Sequence, residues 1–204
     1  MSWKKPTAGI ILAAGISSRL GQPKQLLKLA EKCLVEWVLD ASLKSRLESI
    51  YLVIGHKHQV ILETLGQKIN HSRVHVLINR KYKEGQSGSL KIGITEITNT
   101  FSSVMILLGD QPLVDSKIID HLLDRFWSSE KNICVPICRG KRNNPAIFSR
   151  KYYNQLQHIK GDIGGRQIID DNPDQVLAVQ MTNSFCFLDI DTKEDFADIQ
   201  SLID

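Results

Sequence analysis

"AGIILAAGISSRLGQPKQLL", residues Ala8 to Leu27, decides how the rest of the chain is read. Ala8 to Ala13 are apolar without alternation, as a strand covered on both faces requires. The chain then turns at Gly15, gathers hydroxyls at Ser17 and Ser18, and supplies Arg19, Gly21 and Lys24. Backbone N–H groups that converge after a strand, with basic side chains beside them, make a place for an anion. A polyphosphate suits that chemistry. The loop is not a Walker loop, because five residues separate Gly15 from Gly21 and Gln22 stands where the lysine would be. Nor is it a dinucleotide fingerprint, since G-x-G-x-x-G occurs nowhere in the chain.

Six further apolar runs repeat the strand pattern: "SIYLVIG" (49–55), "RVHVLI" (73–78), "SVMILLG" (103–109), "NICVPI" (132–137), "QVLAVQ" (175–180) and "FCFLDI" (185–190). Helical spacing separates them. "LVEWVLDASLKS" (34–45) sets Leu34, Val38 and Ala41 on one stripe with Trp37 beside it, and "SKIIDHLLDRFW" (116–127) does the same with Ile118, Leu122, Leu123 and Phe126. Thr192 reads as an N-cap, with Asp195 three residues on. This alternation predicts an α/β fold: one domain over residues 1–204, with a doubly wound, mostly parallel, Rossmann-like sheet and helices on both faces. In such sheets ligands bind beyond the carboxyl ends of the strands, so loops that follow strands carry the function. The stretches 85–99 and 139–172 are the least regular and are candidates for substrate contacts.

Composition narrows the classes. With 204 residues, 42% of them hydrophobic, the chain is long enough to bury a core. Its 26 Lys and Arg against 22 Asp and Glu give +4, too mild and too scattered for a nucleic-acid surface. No run of 18 apolar residues and no leader-like segment occurs, so a cytoplasmic protein without membrane insertion is expected. Cys33, Cys134, Cys138 and Cys186 lie in apolar stretches and read as small buried hydrophobes. His56 and His58 form H-x-H after the second strand without an evident third ligand.

Residues 12–27, "LAAGISSRLGQPKQLL", resemble the signature L-A-[AG]-G-x-S-x-R-[ML]-G-x-x-K-x-L-L of nucleotidyltransferases that pass a nucleoside monophosphate from an NTP to an acceptor phosphate. Within that GT-A-like superfamily, the LAAG form resembles the molybdenum cofactor cytidylyltransferase branch, whereas guanylyltransferases typically show LAGG. Other motifs match in order. "MILLGDQPLVD" (105–115) is similar to the family's G-D-x-P element, which implies Asp110 as a metal ligand at a strand end. "FLDIDTKEDF" (187–196) is similar to its D-I-D-T element, which implies a second metal contact at Asp191, with Asp189 less firmly placed. If 185–190 is a strand, alternation sets both aspartates on one face. "NRKYKEGQSGSLKIGI" (79–94) resembles the N-x-x-[WY]-x-x-G-x-x-x-S-[LI] stretch, in which Gly85, Gly88 and Ser89 open a helix toward the nucleotide. "RGKRNNPAIFSRKYYNQLQHIKGDIGGRQII" (139–169) resembles the acceptor side. There Asn144, Pro145, Phe148, Gly161, Asp162, Gly164, Gly165 and Arg166 match, although Asn143 replaces a usual glycine and Asn144 a frequent histidine.

The resemblance implies a magnesium-dependent enzyme. Nucleotide contacts fall to Leu12, Ala13, Ala14, Gly15, Ser17, Arg19, Gly21, Lys24, Gly85 and Ser89. Acceptor contacts fall to Asn144, Pro145, Asp162, Gly164 and Arg166, and Mg²⁺ falls to Asp110 and Asp191. Arg19, Lys24 and Asp110 carry catalysis in this reading, with CTP and molybdopterin as substrates and a molybdenum hydroxylase apoenzyme as onward recipient. The alternatives are the same chemistry with GTP or another phosphorylated acceptor such as a sugar phosphate, or a non-catalytic accessory protein of the same cofactor.

Overall fold

Thr7–Ala13 forms β1, all seven of its residues buried. The computed structural model describes residues 6–16, 23–161, 164–182 and 185–201. After β1 come β2 (Lys28–Leu29) and β3 (Lys32–Cys33), a short antiparallel hairpin that leads into α1 (Leu34–Lys44). The chain continues through β4 (Ser49–Ile54), α2 (His58–Leu65), β5 (Val74–Ile78), α3 (Gln86–Ile97), β6 (Ser103–Leu108) and α4 (Ser116–Trp127). It closes with β7 (Ile133–Cys138), β8 (Lys141–Arg142), β9 (Ala146–Ser149), α5 (Tyr153–His158), α6 (Arg166–Asp171), β10 (Val176–Gln180) and α7 (Lys193–Gln200).

The main sheet runs in the order β10-β7-β9-β6-β1-β4-β5, with β8 attached to β7. β1 pairs in parallel with β4 on one side and with β6 on the other. β9 lies antiparallel between β6 and β7, which leaves β6 and β7 pointing the same way. Chain order therefore departs from β1 in both directions, and β1 stands at a topological switch point, where such sheets open a crevice.

Alternating strand residues feed two cores, as the period of a strand dictates. Ile11, Leu52, Leu107 and Ile147 pack under α1, α2 and α4 through Val38, Ile61 and Leu122. Ile10, Val53, Ile106 and Phe148 pack on the opposite face under α3, α5 and α6 through Leu90, Leu156 and Ile168. Helices thus cover both faces, as the sequence predicts. A third, smaller core joins Leu29 and Leu34 to Ile190 and Ile199, with Leu27, Trp37 and Phe196 packed against it. This core seats α7 on the β2–β3 hairpin.

Two expectations are corrected. Residues 185–190 form no strand: Phe185–Phe187 is a turn of 3₁₀ helix, and the following residues cross the end of the sheet. β6 already has β1 and β9 on its two edges, so the segment bonds instead to the residues just past that strand: Ile190 N–H donates to the Asp110 carbonyl and Gln111 Nε2 to the Phe187 carbonyl, each at 3.3 Å. Equal facing of Asp189 and Asp191 by strand alternation falls with that strand. The stretch 85–99, expected to be irregular, is mostly the twelve-residue α3. Leu90, Ile94 and Ile97 pull that helix onto the sheet although its apolar stripe is weak.

Three of the four cysteines behave as the sequence suggests, and Cys186 is only half-buried. All four are free, and Cys33, Cys134 and Cys138 are buried. Burial pushes the Cys33 and Cys134 thiols up to about 12, so neither is a thiolate at neutral pH. Among the described residues, no helix is long and apolar enough to cross a membrane.

Candidate active site

The ends of β1, β4 and β6 meet tightly. Gly109 N–H donates to the Leu12 carbonyl at 3.0 Å, and His56 N–H to the Ala14 carbonyl at 3.2 Å. A Cβ at Gly109 would sit 2.9 Å from the Ala13 Cβ, and one at Gly55 would sit 2.9 Å from the Ala14 Cβ and 2.6 Å from the Tyr82 Cβ. The small residues of the LAAG element are therefore a packing requirement of three converging strands. Leu12, Ala13 and Ala14 are buried there, so their side chains are closed off from the crevice, whereas Gly15 is exposed. Gln25, buried at 2% exposure, donates from Nε2 to the Gly15 carbonyl at 3.1 Å and ties the far side of the loop to its start.

Lys24 opens the 3₁₀ turn Lys24–Leu26 that follows the loop. Its ammonium donates to Asp191 Oδ1 at 2.8 Å and forms an ion pair with Asp110 Oδ2. Asp110 lies just past β6, and Asp191 just before α7. The Lys24 and Asp110 side chains are only 18% and 14% exposed, while Asp191 is open at 50%. Burial alone would lower the Lys24 pKa, but Asp110 and then Asp191 outweigh it and hold the pKa above its ordinary value. Asp191 is fixed in turn: its N–H donates to Asp195 Oδ2 at 3.0 Å, and Thr192 and Asp195 close the capping box of α7.

Asp189 faces the same cluster. Desolvation and the like charges of Asp110 and Asp191 push its carboxyl up to about 6, against a hydrogen bond with Gln111 that pulls it down. The residue as a whole is nonetheless exposed, so water screens part of that effect. Gln111 is buried at 3% and donates from Nε2 to the Phe187 carbonyl at 3.3 Å, anchoring the segment that carries the aspartates.

Carboxylate oxygens are the hard donors that magnesium takes, and two of them leave other coordination positions to water and phosphate. The shared contact with the Lys24 ammonium demonstrates that Asp110 and Asp191 can converge on one cation. The residues present therefore fit a divalent ion. Among the described residues, no group of three or more His, Cys, Asp or Glu side chains is assembled for a metal.

Gly85, at φ +100°, is the N-cap of α3. Ser89 does not face the crevice: it is 3% exposed and accepts a hydrogen bond from Asn79 Nδ2 at 2.9 Å. Asn79 Oδ1 accepts from Lys81 N–H at 2.8 Å, so the ten-residue spacing of Asn79 and Ser89 is that of a buried brace beneath the start of α3. On the acceptor side, Ser87 N–H donates to the Gly161 carbonyl at 3.2 Å, and Gly164 lies against Gln86, which sets this turn beside α3. Asn144 and Arg166 line a pocket of about 120 Å³ together with Arg142, Asn143, Ala146, Ile169 and Asp170. Pro145 and Gly164 are not among its walls.

Ser17, Arg19, Gly21 and Asp162 lie outside the described residues. Of the other expected residues, Lys24, Asp110 and Asp191 are brought into contact, and Asn144 and Arg166 share one pocket. Sequence reading missed Gln25, Gln111 and Arg142, and gave no role to Asn79, which heads the N-x-x-[WY] stretch. Gln25 and Gln111 each sit beside a motif residue, but an amide that braces backbone leaves no periodicity to detect; Arg142 carries no signal beyond its charge. His56 and His58 bond locally, to Tyr82 Oη at 3.5 Å and to the Gly55 carbonyl at 3.2 Å.

Comparison with known proteins bears on the family and the fold. Residues 9–176 match the family described as the MobA-like NTP transferase domain. The chain is 30% identical over 152 residues to the probable molybdenum cofactor guanylyltransferase of Thermococcus sibiricus, covering 73% of this chain and 72% of that protein. Over 194 residues it is 28% identical to the purine catabolism protein PucB of Bacillus subtilis, covering 92% and 93%. To the molybdenum cofactor cytidylyltransferase of Escherichia coli it is 27% identical over 193 residues, 92% of each chain. Among solved structures, Rv0371c of Mycobacterium tuberculosis H37Rv superposes with a TM-score of 0.86 at 23% identity, covering 97% of this chain and 98% of that one. Its complex with manganese gives 0.81 at 21%, covering 96% and 98%. These two bear on the fold. With the family match spanning most of the sheet and the loop that follows β1, the chain belongs to the MobA-like NTP transferase family and is a nucleotidyltransferase.

Proposed function

We propose that the protein transfers CMP from CTP to the phosphate of molybdopterin and releases pyrophosphate, with Mg²⁺, and that residues 1–204 act as one nucleotidyltransferase domain. The observation that carries the transfer chemistry is the Lys24 contact with both Asp110 and Asp191 at the switch point of the sheet, beside the loop at Gly15. A phosphate oxygen of the acceptor attacks the α-phosphorus of the nucleotide; the new P–O bond forms as the bond to the β-phosphate oxygen breaks, and pyrophosphate leaves. No protein nucleophile is needed, so catalysis rests on positioning and on charge neutralisation.

In this reading Lys24 and Arg19 neutralise charge on the departing pyrophosphate, and the backbone from Leu12 to Gly15 approaches the phosphates. Ser17, Gly21, Gly85 and Ser89 complete the nucleotide side, Ser89 by supporting the start of α3. Asp110 and Asp191 hold the divalent ion. When bound, that ion supplies Lewis-acid polarisation of phosphoryl oxygens. Asn144, Pro145, Asp162, Gly164 and Arg166 receive the acceptor, with Arg166 suited to clamp a phosphate. A molybdenum hydroxylase apoenzyme is the onward recipient.

The choice of CTP rests on Ala14 in the LAAG form and on the cytidylyltransferase relative, which aligns over most of both chains. A second reading with GTP is favoured by the 30% identity to a probable guanylyltransferase. Pyrophosphate release decides between them, measured from CTP, GTP, ATP and UTP with Mg²⁺, each with and without molybdopterin. The expected result is release with CTP that depends on molybdopterin. Release with GTP instead keeps the chemistry and changes the nucleotide, and silence with every pair overturns the molybdopterin reading.

A further inference from the structure

An ammonium lies between the two carboxylates proposed to hold the metal, and both sides of that contact are fixed by neighbouring structure. Lys24 sits on a short 3₁₀ turn between buried Pro23 and buried Gln25, the latter hydrogen-bonded to the Gly15 carbonyl. Asp191 is held by the bond from its N–H to Asp195 and by the capping box of α7. A surface lysine that meets an acid by chance has neither anchor. The contact is also largely withdrawn from water on the Asp110 side, where charges act on one another more strongly.

We propose that the Lys24 ammonium is a resident cation that competes with the divalent ion for Asp110 and Asp191, so that the metal site opens only when a triphosphate offers Lys24 another partner. This rests on the reading of those two aspartates as the metal carboxylates. The physical reason is charge balance. Asp110 and Asp191 already share one ammonium, and a divalent ion arriving alone must either displace that ammonium from both carboxylates or bind beside it against like charge. A nucleotide triphosphate brings a competing anion: its phosphates accept Lys24 while the carboxylates turn to the ion. Metal and nucleotide then raise each other's affinity, and Lys24 carries part of that coupling, which is reciprocal by linkage. The purpose is a site that resists bare metal and is completed by its substrate.

The test is a Mn²⁺ titration of the full chain, with free ion followed by electron paramagnetic resonance and with neither nucleotide nor acceptor present. Wild type, Lys24→Met, Lys24→Arg and the double variant Lys24→Met with Asp110→Asn are compared, each checked by circular dichroism; Lys24→Gln takes the place of Lys24→Met if the latter does not fold. Removing the charge is expected to tighten Mn²⁺ binding roughly tenfold or more. Lys24→Arg keeps a cation in place and is expected to stay near wild type, and the double variant is expected to lose the gain. Equal or weaker binding by Lys24→Met overturns the proposal, as does a gain that persists without Asp110 or an absence of Mn²⁺ binding in every variant. Because no nucleotide or acceptor is present, failure here leaves the choice of substrates to the pyrophosphate assay, and failure of that assay leaves this comparison intact.

Discussion

At the scale of single residues, Asp110 is the position on which the proposed reaction turns. It lies just past β6, where no helix or strand hydrogen bond depends on its side chain, and its side chain pairs with Lys24. Asp110→Asn preserves the shape and removes the charge. The expected outcome is a fall in turnover of about a hundredfold or more, the scale of losing one electrostatic stabiliser of a transition state, with the circular dichroism spectrum unchanged. Turnover equal to wild type in a folded Asp110→Asn variant would remove Asp110 from the metal and catalytic roles. The residue was singled out in the sequence because "MILLGDQPLVD" resembles the family's G-D-x-P element. Gln25 was not, since its work is a single bond to a carbonyl ten residues back.

At the scale of elements, α7 and α1 set the position of the site through local chemistry. Thr192 accepts from Asp195 N–H at 3.1 Å, and Asp195 Oδ2 receives the N–H groups of Asp191 and Thr192. Thr192→Ala is expected to lower stability by about 1 kcal/mol, read as a shift in the urea midpoint, the usual cost of losing an N-cap. An unchanged midpoint would mean that the third core alone holds α7. On α1, Asp40 accepts from Lys32 at 2.5 Å and from Lys68 at 2.8 Å, linking β3 to the turn after α2. Burial would raise the Asp40 carboxyl, but Lys32 and Lys68 hold it below the usual carboxylate range. A carboxyl lowered in the folded state stabilises the fold above its unfolded pKa, near 4, and loses that contribution as pH falls through the depressed value. Asp40→Asn should therefore cost about 1 kcal/mol at pH 7 and less near pH 3, compared by urea unfolding at both. A difference of equal size at the two pH values would assign the effect to packing.

At the scale of the whole molecule, the sheet order sets a gradient of stability. β1, β4 and β6 have neighbours on both edges and helices on both faces, whereas β5 and β10 stand at the margins. Hydrogen exchange should accordingly be slowest for amides of β1 and β6 and faster for β5 and β10, because edge strands open by local fluctuation. Protection of β5 equal to that of β1 would point to an edge covered in solution. The sequence by itself determined the βα alternation and the two-sided burial of the strands, because these follow from the local period of apolar residues; Lys24, Asp110 and Asp191 were named from contiguous motifs that resemble the family's. Only the tertiary structure decided that residues 185–190 cross the end of the sheet instead of joining it, since strand pairing depends on which edges remain free and β6 has none. It likewise decided that Ser89 is buried against Asn79, and that Lys24 meets Asp110 and Asp191, the latter 167 residues away in the chain. Contacts of that separation are set by where the helices and the third core dock, which no local pattern encodes.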